Sequence, residues 1–239
     1  MRLRLKTVPV VMLLGLGVSA APAAAATFTV TTVNDSAASG SLRWAINQSE
    51  PQPGRDTIEF DIAGAGPHTI ALAGDLPTIG HPVTIDAYTQ TDAVPATRRQ
   101  PAELMIAIDA GNAFRGLDIG GDRIKLRGLA VHSAQEVGIF VEGHENVVAG
   151  NHIGTDATGA AALPNWFYGV EVYGGDNMIG GPRYADRNVI SSNGAADLKV
   201  QVGSGTRDPG QPDRHGRGRH RGPRRRLRRR PRRPGQHRA

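Results

Sequence analysis

A short peptide that keeps returning constrains this chain more than any other feature. Gly116-Leu117-Asp118-Ile119-Gly120-Gly121 reappears as Gly138-Ile139-Phe140-Val141-Glu142-Gly143, and again as Gly169-Val170-Glu171-Val172-Tyr173-Gly174. The offsets are 22 residues (138 − 116) and 31 residues (169 − 138). A second element, Asn146-Val147-Val148-Ala149-Gly150, returns as Asn177-Met178-Ile179-Gly180-Gly181, and Asn188-Val189-Ile190-Ser191-Ser192-Asn193 continues the style. So short an apolar strand cannot bury its face alone, but stacked on its own repeat it contributes to one continuous core. Gly and Asn are expected at corners that need positive φ. Asn at equivalent corners can also hydrogen-bond along the stack. An offset of 22 suits one turn of three short strands, and 31 suits the same turn with a loop of about nine extra residues, Gly154 to Asn165. The expected fold is all-β, a parallel β-helix or solenoid. A β-sandwich also uses short strands and turns, but it needs no repeats in register.

Upstream, Thr27–Val33 alternates β-branched residues and reads as a strand. Leu42, Ala45 and Ile46 have helical spacing, which predicts a short amphipathic helix over Leu42–Asn47 that Pro51 and Pro53 prevent from continuing. Strands are expected at Thr57–Ile62, His68–Leu72 and Val83–Asp86.

The first 26 residues are set apart. Arg2, Arg4 and Lys6 precede the apolar run Val8–Ala21, then Pro22 and Ala23–Ala26. That order is a secretory signal peptide, with cleavage expected near Ala26–Thr27. The run is shorter than the roughly 20 residues of a membrane span, which argues against an uncleaved anchor. The expected location is therefore secreted or cell-surface, with no membrane insertion after cleavage. The chain has no cysteine, so thiol redox chemistry and Cys-ligated metals are excluded and the fold must hold by its core. The net charge of +6 conceals two opposed parts. Residues 207–239 hold 14 Arg against Asp208 and Asp213, a balance of +12, whereas residues 27–206 stand at −9. The basic balance therefore says nothing about the body's partners.

Thr29-Val30-Thr31 with Gly40-Ser41-Leu42-Arg43-Trp44-Ala45-Ile46 resembles the N-terminal motif of large exported bacterial β-helix repeat proteins, whose commonest form reads Cys-Ser-Leu-Arg-Glu-Ala-Ile. Gly40 stands in place of the Cys and Trp44 in place of the Glu. Pro82-Val83-Thr84-Ile85-Asp86, Tyr88-Thr89-Gln90, Gly150–Asp156 and Arg187–Ser191 look like the same group, so the resemblance covers roughly residues 27–202. It implies a right-handed parallel β-helix with a short capping helix near its N-terminal end. The expected organisation is signal peptide 1–26, cap 27–54, β-helix coils 55–206 and tail 207–239. The motif residues serve capping, turning and stacking, so they specify architecture and leave activity open.

Asp118, Arg123, Lys125, Arg127, Glu142 and Glu171 are the residue types that polysaccharide cleavage would use. Asp118, Phe140 and Glu171 are each the third residue of their unit, so register would place Asp118 and Glu171 two coils apart, roughly 10 Å. Inverting glycosidases place their carboxylates roughly 6.5–9.5 Å apart. The favoured expectation is a solvated polar face, and no catalytic residue is assigned. Trp166-Phe167-Tyr168 is the only aromatic cluster. It would either stack on sugar rings or pin the long loop by burying its rings, and pinning is favoured. Asp156 is expected to cap its own turn. His68, His81, His132, His144 and His152 show no ligand spacing, and no metal or cofactor is expected.

The expected function is an exported non-catalytic β-helix module for surface display, adhesion or carbohydrate contact. Trp166, Phe167, Tyr168, Asp118 and Glu171 are the candidate carbohydrate-contact residues. The alternative is a polysaccharide-active lyase, hydrolase or epimerase on the same fold, so enzymatic activity stays open. Expected partners are an extracellular polysaccharide or a cell surface. The tail has no aromatic to stack bases, so no nucleic-acid partner is expected. Read one base later, residues 210–218 can encode Gly-Asn-x-Ile-Gly-Thr-Asp-Ala. That matches Gly150-Asn151-His152-Ile153-Gly154-Thr155-Asp156-Ala157, and the tail is expected to be an out-of-frame translation of further β-helix.

Overall fold

Runs of β-branched residues make strands here, and Gly, Pro and Asn stop each one after two to five residues. The computed structural model describes residues 25–50 and 54–201. The leader through residue 24, Pro51, Pro53, and the Arg-rich tail with its shifted frame lie outside the described residues. In chain order, β1 (Thr27–Val30) is followed by α1 (Leu42–Ser49), β2 (Asp56–Phe60), β3 (His68–Ala71), β4 (Val83–Asp86), β5 (Ile106–Asp109) and β6 (Arg115–Ile119). Then come β7 (Lys125–Arg127), β8 (Leu129–His132), β9 (Val137–Val141), β10 (Val147–Val148) and β11 (His152–Ile153). Last are β12 (Tyr168–Val172), β13 (Met178–Ile179), β14 (Val189–Ile190) and β15 (Ala196–Val200).

The strands build three parallel sheets, ordered β1-β2-β4-β7-β10-β13, β3-β5-β8-β11-β14 and β6-β9-β12-β15. From β4 onward the chain visits first, second and third sheet in turn, and repeats that round to β15. In the earlier round Ile79 bridges Ile119 in parallel and holds the third sheet's place. Parallel pairing throughout the sheets sets aside the antiparallel sandwich. Each sheet sends apolar rows inward, among them Ile58, Ile85, Leu126, Val148 and Ile179; Ile70, Ile108, Val131 and Ile153; Leu117, Ile139 and Val170; and, also from the third sheet, Ile119, Val141 and Val172. All of them join a single apolar core. The offsets of 22 and 31 are therefore the pairing register itself: Val147 sits between Lys125 and Met178.

Sequence expectation and structure differ at the bounds of β2 and β3, which run Asp56–Phe60 and His68–Ala71 where Thr57–Ile62 and His68–Leu72 are expected, and at three further details. The first strand stops at Val30, short of Val33, because the Thr31 and Thr32 N–H groups turn to the Gly40 carbonyl, at 2.8 and 3.2 Å. The helix runs two residues past Asn47, to Ser49. The third concerns the corners. Positive φ falls on Arg123, Glu145 and Asp176, each at 57°, and not on the Asn residues that follow two of them. A non-glycine residue there is strained, and the adjoining buried hydrogen bonds offset the cost.

Those bonds form Asn ladders. Asn146 Oδ1 accepts from Ile124 N–H (2.7 Å), Asn146 Nδ2 donates to the Gly121 carbonyl (3.0 Å), and Asn146 N–H donates to Asn177 Oδ1 (2.8 Å). Asn151 and Asn188 repeat the pattern at a second corner, and Asn165 and Asn193 at a third. The glycines that open each unit have a different task. A Cβ at Gly138 would meet Ile153 Cγ2 at 3.0 Å, and one at Gly169 would meet Ile190 Cγ2 at 2.7 Å, so they let the third sheet approach the second. The closing glycines stack backbone on backbone: a Cβ at Gly143 or Gly174 would run into the carbonyl of Gly121 or Gly143.

Candidate functional site

Register fixes what the outer face of the third sheet displays. Asp118, Phe140, Glu171 and Lys199 form one row across β6, β9, β12 and β15, and Arg115, Val137, Tyr168 and Ala196 form another. Asp118 and Glu171 thus flank Phe140, two strand spacings apart, about 10 Å. The row arrangement agrees with the sequence expectation, but the solvated character does not. Glu171 is 6% exposed, because Lys199 Nζ reaches its Oε1 at 2.7 Å. Arg115 Nη1 pairs with Asp118 Oδ2 at 2.6 Å and lays its guanidinium 3.6 Å from the Phe140 ring centroid. Lys199 Nζ also lies 4.4 Å from the Tyr168 ring centroid, and Phe140 packs against Tyr173 at 5.4 Å. The hydrogen bond to Glu171 raises the Lys199 amine above its ordinary value, so it stays charged. Each carboxylate is therefore neutralised by a cation that an aromatic ring also holds.

Sequence reasoning missed Arg115 and Lys199. Arg115 precedes the glycine that marks its unit. Lys199 belongs to a unit in which Asp197 stands where the others carry Gly. The alternation Leu198, Lys199, Val200 was the available signal.

One edge of this face carries exposed aromatic rings. Phe114 and Phe167 directly precede the paired row of Arg115 and Tyr168, so they project along one edge with Glu136 between them. Trp166 is 71% exposed, Phe114 58% and Phe167 45%. The expectation that the aromatics pin the loop by burying themselves is therefore corrected. The pin is Asn165, fully buried, whose Oδ1 accepts from Ala134 N–H at 2.9 Å, together with the backbone bonds Trp166 N–H to Ala134 and Phe167 N–H to Glu136. A cleft of about 550 Å³ beside Trp166 is lined by Gln135, Pro164 and Ser133. A second, of about 420 Å³, is lined by Asp75, Thr78, Phe114, Arg115, Asp118 and Glu136.

Tyr168, Asp118 and Glu171 thus share one face, and Trp166 and Phe167 edge it. The other candidates lie elsewhere. Lys125 and Arg127 are on β7 of the first sheet, where Arg127 approaches Asp86 at 3.5 Å. Glu142 and Arg123 are exposed at corners. Asp156 caps its own turn, accepting from Thr158 Oγ1 and the Ala160 and Ala161 N–H groups. Burial opposes its ionisation, but these bonds outweigh it and hold the carboxyl below its ordinary value. His132 and His152 are buried on the second sheet and sit below their ordinary value, chiefly by desolvation. Among the described residues no group of three or more His, Asp or Glu side chains is arranged to hold a metal ion, and no helix is long and apolar enough to cross a membrane. The chain matches no family model and no curated protein sequence.

Proposed function

We propose that the chain is an exported, non-catalytic right-handed parallel β-helix module that presents its third sheet's outer face for adhesion or carbohydrate contact. Supporting the architecture are the three parallel sheets visited in turn, the Asn ladders, and the strong preference of parallel crossovers for the right hand. The resemblance of Gly40–Ile46 to exported β-helix proteins supports the export and the N-terminal cap. The observation that carries the binding reading is the exposure of Trp166 and Phe167 beside a face whose charges are already paired. Rings so exposed contribute little to folding and offer flat apolar surfaces to a sugar ring. An enzymatic reading draws on the second cleft, where Asp75, Asp118 and Glu136 meet. It is the weaker one, because Arg115 occupies both aspartates: its guanidinium pairs with Asp118 and its N–H donates to Asp75 Oδ1 at 3.0 Å.

A glycan array probed with the protein, followed by titration of its best ligand, tests the binding reading. Trp166→Ala should weaken binding roughly tenfold, since an aromatic stack is worth about 1 kcal/mol or more, while the melting temperature stays unchanged. Equal binding by wild type and variant would sink the proposal. Degradation of pectin, alginate or hyaluronan that Asp118→Asn abolishes would put the enzymatic reading in its place.

A further inference from the structure

The observation with the most unexplained chemistry lies at the other end of the molecule. Asp56 opens β2 and is 1% exposed. Its Oδ1 accepts from the Ala26 N–H at 2.7 Å, and its Oδ2, equally buried, accepts no hydrogen bond from the described residues. Among the described residues no Lys, Arg or His pairs with it. A buried carboxylate held by one neutral amide is costly unless a cation joins it.

We propose that the chain is processed between Ala25 and Ala26, and that the α-ammonium so created on Ala26 is the counter-ion of Asp56, fastening β1 to β2. The inference rests on the export reading. Ala21-Pro22-Ala23, Ala23-Ala24-Ala25 and Ala24-Ala25-Ala26 all meet the small-x-small pattern, and only the last two place the new terminus at Ala26 or directly after it. The structure separates them. Ala26 is fixed through both of its backbone groups: its N–H lies on Asp56, and its carbonyl accepts from Thr57 N–H at 2.8 Å. Cutting after Ala26 deletes both bonds and leaves Asp56 alone. Cutting after Ala25, which is exposed, keeps both. Hydrolysis places hydroxyl on the Ala25 carbonyl and hydrogen on the Ala26 nitrogen, which then binds one more proton at neutral pH. The nitrogen already beside Oδ1 gains a positive charge and further protons, one of them available to Oδ2. A neutral amide bond becomes a charge-assisted one, roughly twice as strong.

Two measurements test this. The full chain, expressed with its leader in an exporting bacterium, should yield a product beginning at Ala26. A product beginning at Ala24 or Thr27 overturns the proposal, and one still beginning at Met1 overturns the export reading together with it. The ion pair is measured independently of export on leaderless chains that all end at Ala239. One starts at Ala26, after removal of the initiator Met; one starts at Thr27; one carries Gly-Ser ahead of Ala26. The Ala26 form should melt roughly 3–10 °C above both others. The gap to the Gly-Ser form should vanish when both carry Asp56→Asn, whereas the Thr27 form stays lower because it still lacks the Ala26 carbonyl that accepts from Thr57 N–H. The Gly-Ser form retains the Ala26 amide and displaces only the charge, so equal melting of it and the Ala26 form would overturn the ion pair.

Discussion

The two ends of the sheet stack are built differently. At the N-terminal end α1 lies against the core. Ser41 Oγ caps it by accepting from Trp44 N–H at 3.0 Å, and Leu42, Ala45 and Ile46 are buried. Arg43 grips Asp35 with two bonds, at 2.8 and 2.7 Å, and reaches the Gly74 and Asp75 carbonyls. Trp44 packs edge-on against Phe28. At the other end, β13, β14 and β15 are the last strands of their sheets, and among the described residues no strand or helix lies beyond them. There the same inward rows lose their cover: Ile190 and Leu198 are only half-buried, and Val200 is 47% exposed. One repeat chemistry thus gives buried, fully bonded positions where a neighbour stacks on both sides and looser ones where it stacks on one. Among the described residues no strand pairs with the outer edges of β13, β14 and β15, and a sheet edge left so can pair with another chain.

The largest expected contrast is in the core rows at the two ends. Ile46→Ala removes apolar volume from a fully buried site and should cost about 2–5 kcal/mol. Leu198→Ala, at the open end, should cost about 1 kcal/mol or less, since part of its surface is already in water. Urea unfolding of both variants checks this. Equal losses would mean that the open end is covered as tightly as the helical one. The next contrast lies in the ladders. Asn146→Ala strands the Ile124 N–H and the Gly121 carbonyl in the interior and should cost about 2–4 kcal/mol. Asn193→Ala, whose side chain also bonds the exposed Asp197, should cost about 1 kcal/mol. Equal costs would show that ladder bonds have the same worth regardless of what stacks above them.

The Gly138 and Gly169 units were legible because the space they occupy leaves no room for a Cβ, so the residue type is forced. The Asn146 and Asn177 ladder was legible for a similar reason, as only a short amide can bond along the stack. The rows of Asp118, Phe140 and Glu171 followed from counting. Side-chain partners did not follow, because Arg115 and Lys199 reach their carboxylates through rotamers and strand neighbours that spacing does not encode. The Asn165–Asn193 ladder escaped notice because the loop from Gly154 interrupts its spacing. The positive φ of Arg123 and Glu145 was illegible because neither side chain prefers it and the corner imposes it; Asp176, of a type that tolerates it, gave the one available hint.

The smallest expected effect is one of pH, and it probes the half of the molecule toward the open end. His152 sits on β11, next to the terminal β14. Burial lowers its pKa, and its bond to the Ala157 carbonyl and the nearby Asp156 only partly oppose that. His132 on β8 shifts the same way, chiefly by burial, against the pull of Asp109 and Asp156. Above the ordinary histidine value of about 6.5 both folded and unfolded states carry neutral rings, and pH has no leverage through them. Below it the unfolded chain binds protons that the folded chain refuses, so stability falls as pH drops toward the depressed folded value, and then levels off. Acidification from pH 7 to pH 5 should therefore lower the amide protection factors, measured against the slower intrinsic exchange in acid, across the loop from Gly154 to Asn165, whose Ala157 and Gly159 pack on His152. Protection within α1 should change far less. His152→Gln should remove most of that response, because glutamine cannot titrate. If the acid response persists in His152→Gln, His152 is not its source; if it is uniform from α1 to β12, the two ends are coupled more tightly than their packing indicates.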